Sequence, residues 1–587
     1  MGPITVVHSG PADATAAVHN PAPALGPAVP FGVNTPVPNT ASNDSGLARR
    51  ATWWRLFGLL TLACVAWMLA TPPLTGPDEV FQARRAAALA RGQLRGNVVG
   101  SGTFQMIEVD VPDTYVAGGD SALCFVGAPV PESPQRGFAV VAQDCPPYRS
   151  SPKLTTTETG QYRGQPFYWA VVGLPSLIDT GVSGTYLMRL VGIVMTTALL
   201  ASAAVSTMAA ARRRLASVAL FGCVTPMVLY LAASTNPSSV EIAAAIGAWT
   251  TGMLLTRADT QPSVREVARF GVSMVVLILA RGLGPLFAVG ILAVLAVLGG
   301  KATVLALVRR RDVRAWAAGG AAALLVAGWW LWFVQQTYAP PDRPGSGVAT
   351  AIGYLPFYIR QSIGVFGQND SAIPPLAAWL WVAALLGVFA VGLWRSSAKT
   401  IVISVATLVA GLALSVTAEG LSLPPIGFFW QGRYALPVLL GAFLLATCTN
   451  PVNRPTSSRI DTPDDRQVAG RGDPWNVAAF LHTRRAADGA VALALTMFLA
   501  VHASAFLSAA RHHGASGGDP QTWWQLLSNA RWSPPLTFPL LLVIYLAALG
   551  ALAWRIVGLG RDEQPVGTPP ACARHRHPAI TSPRCGS

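Results

Sequence analysis

The residues most able to do chemistry follow the first apolar segment of the chain. Asp78 and Glu79 come directly after a Pro-rich stretch, and good helix formers continue to Arg91. This order predicts a short helix over 78–91, with Asp78, Gln82 and Arg85 on one side. A partly desolvated carboxylate can serve as a general base, although a helix dipole by itself also favours acidic residues in the first turn.

Three arginines form a second set of candidates, because each lies at the end of an apolar segment. They are Arg189, Arg281 and Arg433, the last within the stretch Gln431-Gly432-Arg433-Tyr434. A charged group beside hydrocarbon is costly, and snorkelling to the surface explains any one of the three. Three such groups on the same predicted face as the acidic pair are better explained by an anionic ligand. A guanidinium fork suits phosphate oxygens, so a lipid phosphate is the natural candidate.

The composition excludes an ordinary soluble protein. Of 587 residues 52% are hydrophobic and 12% are charged, with a mean hydropathy of +0.44. An ordinary soluble domain carries about 25% charged residues. The surface must therefore face something other than water over much of its area, which predicts an all-α polytopic membrane protein.

Apolar runs of spanning length predict twelve transmembrane helices and a cytoplasmic N-terminus and C-terminus. The runs lie near 56–71, 184–209, 215–233, 238–257, 268–282, 284–300, 315–334, 376–394, 400–418, 433–449, 489–508 and 536–556. Most arginines fall in the loops that this count assigns to the cytoplasm, as the positive-inside rule requires. The net charge of +15 is thereby explained without nucleic acid.

The same topology predicts the organisation of the chain. A disordered cytoplasmic tail at 1–48 precedes a transmembrane core at 49–450, which includes a large extracytoplasmic segment at 72–183. A cytoplasmic loop at 451–488, two further helices within 489–556 and a disordered tail at 557–587 complete it. Cys124 and Cys145 are the two cysteines of the outer segment, and both a disulfide and two unpaired thiols remain open.

Three lesser features have ordinary structural explanations. Ser238 and Glu241 fit a capping box at a helix start. The Gly-rich stretch 361–370 either lines a cavity or turns the chain. His512 and His513 have no carboxylate at ligand spacing, so the sequence predicts no metal site there.

Several motifs in order resemble those of domain-of-unknown-function family 2142. They are Pro77-Asp78-Glu79, Pro166-Phe167-Tyr168 before Met188-Arg189-Leu190, Asn236-Pro237, Ile363-Gly364-Val365-Phe366-Gly367 and Gln431-Gly432-Arg433-Tyr434. That family is grouped by similarity with the GT-C membrane glycosyltransferases. The resemblance covers roughly residues 50–450, and the motifs are specific jointly rather than singly.

The resemblance implies a GT-C-like fold, a polyprenyl-phosphate sugar donor and an envelope glycan or glycolipid acceptor on the outer face of the plasma membrane. It implies Asp78 as the base with Glu79 as its neighbour or alternative. Gln82, Arg85, Arg189, Arg281, Gln431, Arg433 and Tyr434 are then the expected substrate-binding residues. The family pattern places a histidine where this chain has Gln82, and an amide cannot exchange protons. A divalent cation, magnesium or manganese, is a possible cofactor.

Two other classes of function fit the same residues. In a transporter or flippase of lipid-linked glycans the arginines would escort the phosphate and no bond would be made. Internal repeats and charges at mid-membrane depth favour such a protein, whereas these arginines gather towards one face. A non-catalytic assembly partner in the cell envelope is the third candidate, and the missing histidine favours it.

Overall fold

The computed structural model describes residues 40–100, 105–134, 148–257, 261–335, 346–394, 396–449, 484–514 and 532–559. The chain divides into two units, Met1–Ala48 and Arg49–Ser587. The helices, strands and contacts from Arg49 onward belong to the second unit.

The described residues form a helical membrane bundle with a small sheet. The helices are α1 Thr40–Ala70, α2 Glu79–Ala90, α3 Thr114–Leu123, α4 Phe167–Val172, α5 Val182–Met208, α6 Arg213–Cys223, α7 Pro226–Ala232, α8 Pro237–Leu255, α9 Val264–Ala280, α10 Gly284–Val308, α11 Arg311–Gln335, α12 Val348–Gly353, α13 Leu355–Gly364, α14 Pro375–Trp394, α15 Ala398–Ile426, α16 Leu436–Cys448, α17 Arg484–Gly514 and α18 Phe538–Leu559. Short 3-10 turns occupy Leu174–Leu177 and Gly432–Ala435.

All twelve predicted segments are helical, but fewer than twelve are long enough to span. Within the described ranges nine helices pass by length and composition, and a tenth if α6 and α7, bent by 63°, form one span. The other two segments are α9, of 17 residues, and the apolar helix Gly432–Cys448. A span needs about 20 apolar residues, which is why these two fall short.

Helix α8 is the centre of the bundle. Every residue from Pro237 to Leu255 is buried, and a helix that is apolar on all sides is stable only when other helices surround it. By contrast, α10 and α11 bury only 11% and 17% of their apolar windows inside the protein. These helices expose leucine, valine and tryptophan, as expected for surfaces that face lipid.

The segment between α1 and α5 forms a small α/β cap, which the all-α prediction did not include. Strands β1 Asn97–Val99, β2 Met106–Pro112 and β3 Leu154–Thr159 form an antiparallel sheet in that order. Glu108 pairs with Asn97 on one side and with Glu158 on the other. Residues Ile107, Val109 and Val111 alternate inward and are buried, which fixes the register.

The two ends of the bundle differ in charge. At one end, called here the site end, lie Ala70 of α1, Val182 of α5, Pro237 of α8 and Ala280 of α9, joined by the contacts described below. At the opposite, arginine-rich end, Arg212 donates to the carbonyls of Gly392 and Ala446 at 2.8 Å each. Further basic side chains tie the helices together there: Arg214 pairs with Asp488, Arg310 donates to Pro262, and Lys399 donates to Leu298.

Several predicted boundaries shift or lie outside the described residues. Helix α1 begins at Thr40, inside the predicted tail 1–48, while α17 begins at Arg484 and α18 runs to Leu559. The rest of the predicted loop 451–488 and most of both tails fall in undescribed ranges. Cys145 is also outside them, so the Cys124–Cys145 bridge stays a prediction.

Candidate active site

Asp78 lies at the start of α2 and faces an arginine from a distant part of the chain. Its Oδ2 accepts a hydrogen bond from Arg433 Nη2 at 3.2 Å. The Asp78 side chain is 32% exposed and that of Arg433 is 4% exposed. The backbone of Asp78 is left-handed, with φ 57°, a conformation that aspartate tolerates better than most residues but that is uncommon outside glycine. The carboxylate is therefore accessible and already beside a cation.

Glu79, the next residue, is placed quite differently. Its two carboxylate oxygens accept from Arg189 Nε and Nη2 at 2.7 Å each. They also accept from the backbone amides of Gly76 at 2.9 Å and Thr235 at 2.8 Å. Neither side chain of the ion pair is exposed. All acceptor positions of Glu79 are occupied, so it does not fit the expected alternative base.

Arg189 is equally saturated and does not fit the expected phosphate-binding role. Besides Glu79, it donates to the carbonyls of Met68, Thr71 and Pro72 at 3.2, 2.8 and 2.6 Å. A guanidinium has five N–H donors, and all five are used. Three of the acceptors are carbonyls at and just beyond the C-terminus of α1, which a helix leaves unpaired. The pair thus fixes the turn that carries Asp78.

Electrostatics around Glu79 favour its ionised form. Burial raises its pKa, but the charge and hydrogen bonds of Arg189, together with the amides of Thr235 and Gly76, outweigh burial and hold the pKa below its ordinary value. Burial raises the pKa of the nearby Tyr148 phenol, and that phenol donates to the carbonyl of Pro73. Both groups support the turn between α1 and α2.

Gly76 permits this turn to approach the bundle closely. A Cβ added at Gly76 would lie 2.6 Å from Ser234 Cβ and 2.9 Å from Glu79 Oε2. Asn236 completes the contact by donating from its side-chain amide to the carbonyl of Pro77 at 3.0 Å. The turn before α8 therefore packs directly under the loop that presents Asp78.

A second acid and a second arginine lie at the same end. Arg281 Nη1 donates to Glu241 Oε2 at 3.3 Å and to Ser238 Oγ at 3.1 Å. The predicted capping box is wrong: Asn236, not Ser238, caps α8, and its side chain accepts from the Ser238 amide. Glu241 and Ser238 serve instead to hold Arg281.

The Tyr434 ring contacts two arginines at the site end, Arg281 and Arg433. Its ring centroid is 4.4 Å from Arg281 Cζ and 5.2 Å from Arg433 Cζ. Cation–π contact at these distances is attractive and holds both guanidinium groups near the same aromatic ring. The structure thereby brings together four predicted or neighbouring groups, Asp78, Arg433, Tyr434 and Arg281, from three separate parts of the sequence.

The stretch that carries Arg433 requires a glycine at position 432. A Cβ at Gly432 would lie 1.9 Å from the carbonyl oxygen of Tyr358, so only glycine fits. Its amide donates to Gln361 Oε1 at 2.6 Å, and Gln361 is itself held by Asn369. Gln431 precedes this contact, and its Oε1 is buried without a hydrogen-bond partner in the described part of the chain.

The Gly-rich stretch 361–370 turns the chain at the site. Strands β4 Val365–Phe366 and β5 Ser371–Ala372 pair as a hairpin. Within it Gln368 donates to the Gly76 carbonyl at 3.4 Å. Asp370 accepts from the Gly127 amide at 3.0 Å and lies 3.4 Å from His512 Nε2. This hairpin links the cap, the Asp78 turn and the end of α17.

Two predicted binding residues lie away from this group. Gln82 accepts from the indole of Trp169 and is 4% exposed. Arg85 is buried and donates to the carbonyls of Gln93 and Leu94, and burial lowers its pKa to about 10. The prediction that Asp78, Gln82 and Arg85 share one side of a helix was wrong. Asp78 precedes the first residue of α2 and has a left-handed backbone conformation.

The carboxylates at the site do not fit a divalent cation. Glu79, Glu241 and Asp78 each face a guanidinium group that already neutralises them, whereas Mg²⁺ is bound by carboxylates that are free to coordinate. Among the residues that the structure describes, no group of three His, Cys, Asp or Glu side chains could hold a metal ion.

The sequence analysis named Glu241 as a capping residue and Gln361 and Asp370 as parts of a Gly-rich stretch, but it did not predict their contacts at the site. Glu241 carried a signal, since a carboxylate within an apolar helix is costly and expects a partner. Gln361 and Asp370 lie in ordinary helix and turn contexts, and the partners that link them to other parts of the chain, Gly432 and Gly127, are far away in sequence.

The fold defines a polytopic helical membrane protein with a charged site at one end of its bundle. The chain belongs to the family described as "Predicted membrane protein (DUF2142)", whose model matches residues 60–442. This confirms the resemblance found in the motifs.

Among solved structures the chain is similar to ArnT from Cupriavidus metallidurans. The apo crystal structure shares 14% identity at a TM-score of 0.38, covering 89% of this chain and 77% of that one. The structure bound to undecaprenyl phosphate shares 14% identity at a TM-score of 0.37, covering 86% and 76%. No curated protein matches the chain.

Proposed function

We propose that this protein is an inverting membrane glycosyltransferase. It transfers a sugar from a polyprenyl-phosphate donor to a cell-envelope glycan or glycolipid on the outer face of the plasma membrane. The observation that carries the proposal is the Asp78–Arg433 contact, which places an accessible carboxylate 3.2 Å from a nearly buried cation. Arg281 and Arg433 both contact the Tyr434 ring.

The proposed reaction assigns each of these groups one role. Asp78 takes the proton from an acceptor hydroxyl, and the oxygen of that hydroxyl forms a bond to the anomeric carbon of the donor. The bond from that carbon to the phosphate oxygen breaks on the opposite side, and the lipid phosphate leaves with the electron pair. Arg433 and Arg281 neutralise the charge that develops on it, and such preorganised cations are typically worth several kcal/mol.

The charge distribution supports the outer face as the place of reaction. Arg212, Arg214, Arg310 and Lys399 lie at the arginine-rich end, and cytoplasmic loops are enriched in such residues. The site end is then extracytoplasmic, with both termini in the cytoplasm.

The test uses the purified full chain in liposomes with radiolabelled polyprenyl-phosphate sugars and a crude envelope glycan as acceptor. Asp78→Asn is expected to abolish transfer while the protein inserts normally. Asp110→Asn, an exposed change in the same segment, is the matched control and keeps full transfer. Full activity in Asp78→Asn would refute the base assignment.

The binding half of the proposal is tested with farnesyl monophosphate as a short polyprenyl phosphate. Arg281→Lys and Arg433→Lys keep the charge but lose the planar fork, so both should weaken binding. Binding unchanged in both variants would refute the phosphate site even if transfer is observed.

A further inference from the structure

A cavity of about 430 Å³ lies at the arginine-rich end, away from the candidate active site. Its walls come from α1, α5, α6, α17 and α18, and include Leu56, Ala204, Leu220 and Leu552. On α5 the lining begins at Leu200, eleven positions beyond Arg189 and about 16 Å from it along the helix axis. It is therefore a separate site.

The shape of the cavity suits one hydrocarbon chain. Along α18 its lining runs from Leu549 to Leu559, a rise of about 15 Å. A bilayer has a hydrocarbon core about 30 Å thick, so this depth equals one leaflet. The walls are mostly aliphatic, and the polar His502 among them is already paired with Tyr545 at 2.6 Å. The interior has the chemistry of a site for an acyl chain.

The mouth of the cavity carries positive charge. Arg555 lines it and is exposed, and Arg213 approaches from α6 by donating to the carbonyl of Leu559 at 3.5 Å. The hydroxyls of Thr52 and Ser217 also line the cavity, and its lining residues include no carboxylate. A guanidinium beside hydroxyl donors is complementary to a phosphate at headgroup level.

We infer that this cavity binds an acidic phospholipid of the adjoining leaflet, with one acyl chain between α1, α5 and α18 and its phosphate at Arg555. The inference does not depend on the proposed function. An acidic phospholipid fits both parts of the cavity. A neutral lipid would leave the arginine at the mouth without a counter-charge, and a soluble anion would leave the apolar interior empty.

The test is native mass spectrometry of the full chain in detergent with added phosphatidylglycerol or phosphatidylcholine of identical acyl chains. The wild type should retain phosphatidylglycerol about fivefold better than phosphatidylcholine, the preference that one arginine near an anionic headgroup provides. Arg555→Gln should remove that preference, while Arg309→Gln, an exposed arginine outside the cavity, should keep it.

A second variant tests the acyl chain independently of charge. Ala204→Phe fills the cavity and should reduce retention of both lipids at least fivefold, whereas Ala322→Phe on an exposed helix face should not. Equal retention of the two lipids by the wild type would overturn the inference. Retention that is unaffected by Ala204→Phe would overturn it as well, as would a tail segment of this chain cross-linking to Ala204→Cys.

Discussion

Arg189 and Glu79 face each other through two parallel hydrogen bonds of 2.7 Å, with both side chains fully buried. The pair joins the end of α1, the start of α2, helix α5 and the turn before α8, since its other partners come from each of those places. Both groups act by positioning: they hold the strained turn in which Asp78 is presented, and neither is free to touch a substrate.

Breaking this pair should therefore lower stability strongly. Glu79→Gln leaves a buried guanidinium without its counter-charge, at an expected cost of roughly 3–5 kcal/mol in the free energy of unfolding. Thermal unfolding of the wild type and of Glu79→Gln in detergent measures this loss of stability. The double variant Glu79→Leu with Arg189→Met should cost less than the sum of the two single changes.

A surface pair provides the control for that measurement. Arg310 and Asp312 form an ion pair with side chains about a quarter exposed, so Asp312→Asn should change stability by about 1 kcal/mol or less. An equal loss in Asp312→Asn and Glu79→Gln would contradict the positioning role of the buried pair.

The same pair predicts a pH dependence. Because the folded protein holds the pKa of Glu79 below its ordinary value of 4.5, the unfolded state binds this proton first as pH falls. The contribution of Glu79 is complete above pH 4.5 and is lost as the pH falls further towards its folded pKa. Melting temperatures of the wild type and of the Glu79→Leu, Arg189→Met variant should converge from pH 6 to pH 3. A constant difference would refute this.

Asp78 and a lipid phosphate should compete for Arg433. Replacing Asp78 by asparagine removes the counter-ion at 3.2 Å and should tighten binding of farnesyl monophosphate by up to about fivefold, the range for a partly exposed ion pair. Titration by fluorescence or calorimetry measures the affinity. Asp110→Asn is the control, and weaker binding in Asp78→Asn would argue against phosphate at Arg433.

Gly432→Ala should separate Arg433 from Asp78. The added Cβ would meet the Tyr358 carbonyl at 1.9 Å, so the 3-10 turn must shift, at a typical cost of 1–3 kcal/mol. Farnesyl monophosphate binding and sugar transfer should both fall. Gly290→Ala, where no atom lies within 4 Å of the new Cβ, should leave both unchanged, and intact transfer in Gly432→Ala would contradict the assigned geometry.

The helices could be predicted from the sequence, because the signal for a helix is local. Apolar length and periodicity located the twelve apolar segments, all of which are helical, and the distribution of basic residues matched the two ends of the bundle. It also singled out Asp78, Arg281, Arg433 and Tyr434, since a charge beside an apolar segment is costly wherever it falls.

The role of each of those charged groups depends on its tertiary contacts. Asp78 and Glu79 are adjacent and chemically alike, yet a left-handed backbone at Asp78 turns one carboxylate towards Arg433 and buries the other against Arg189. Arg189 and Arg433 occupy similar positions in the sequence, each at the end of an apolar segment. In the structure Arg189 donates five hydrogen bonds to buried acceptors, whereas Arg433 contacts the accessible carboxylate of Asp78. Such differences arise from partners more than a hundred residues away, which no local pattern encodes.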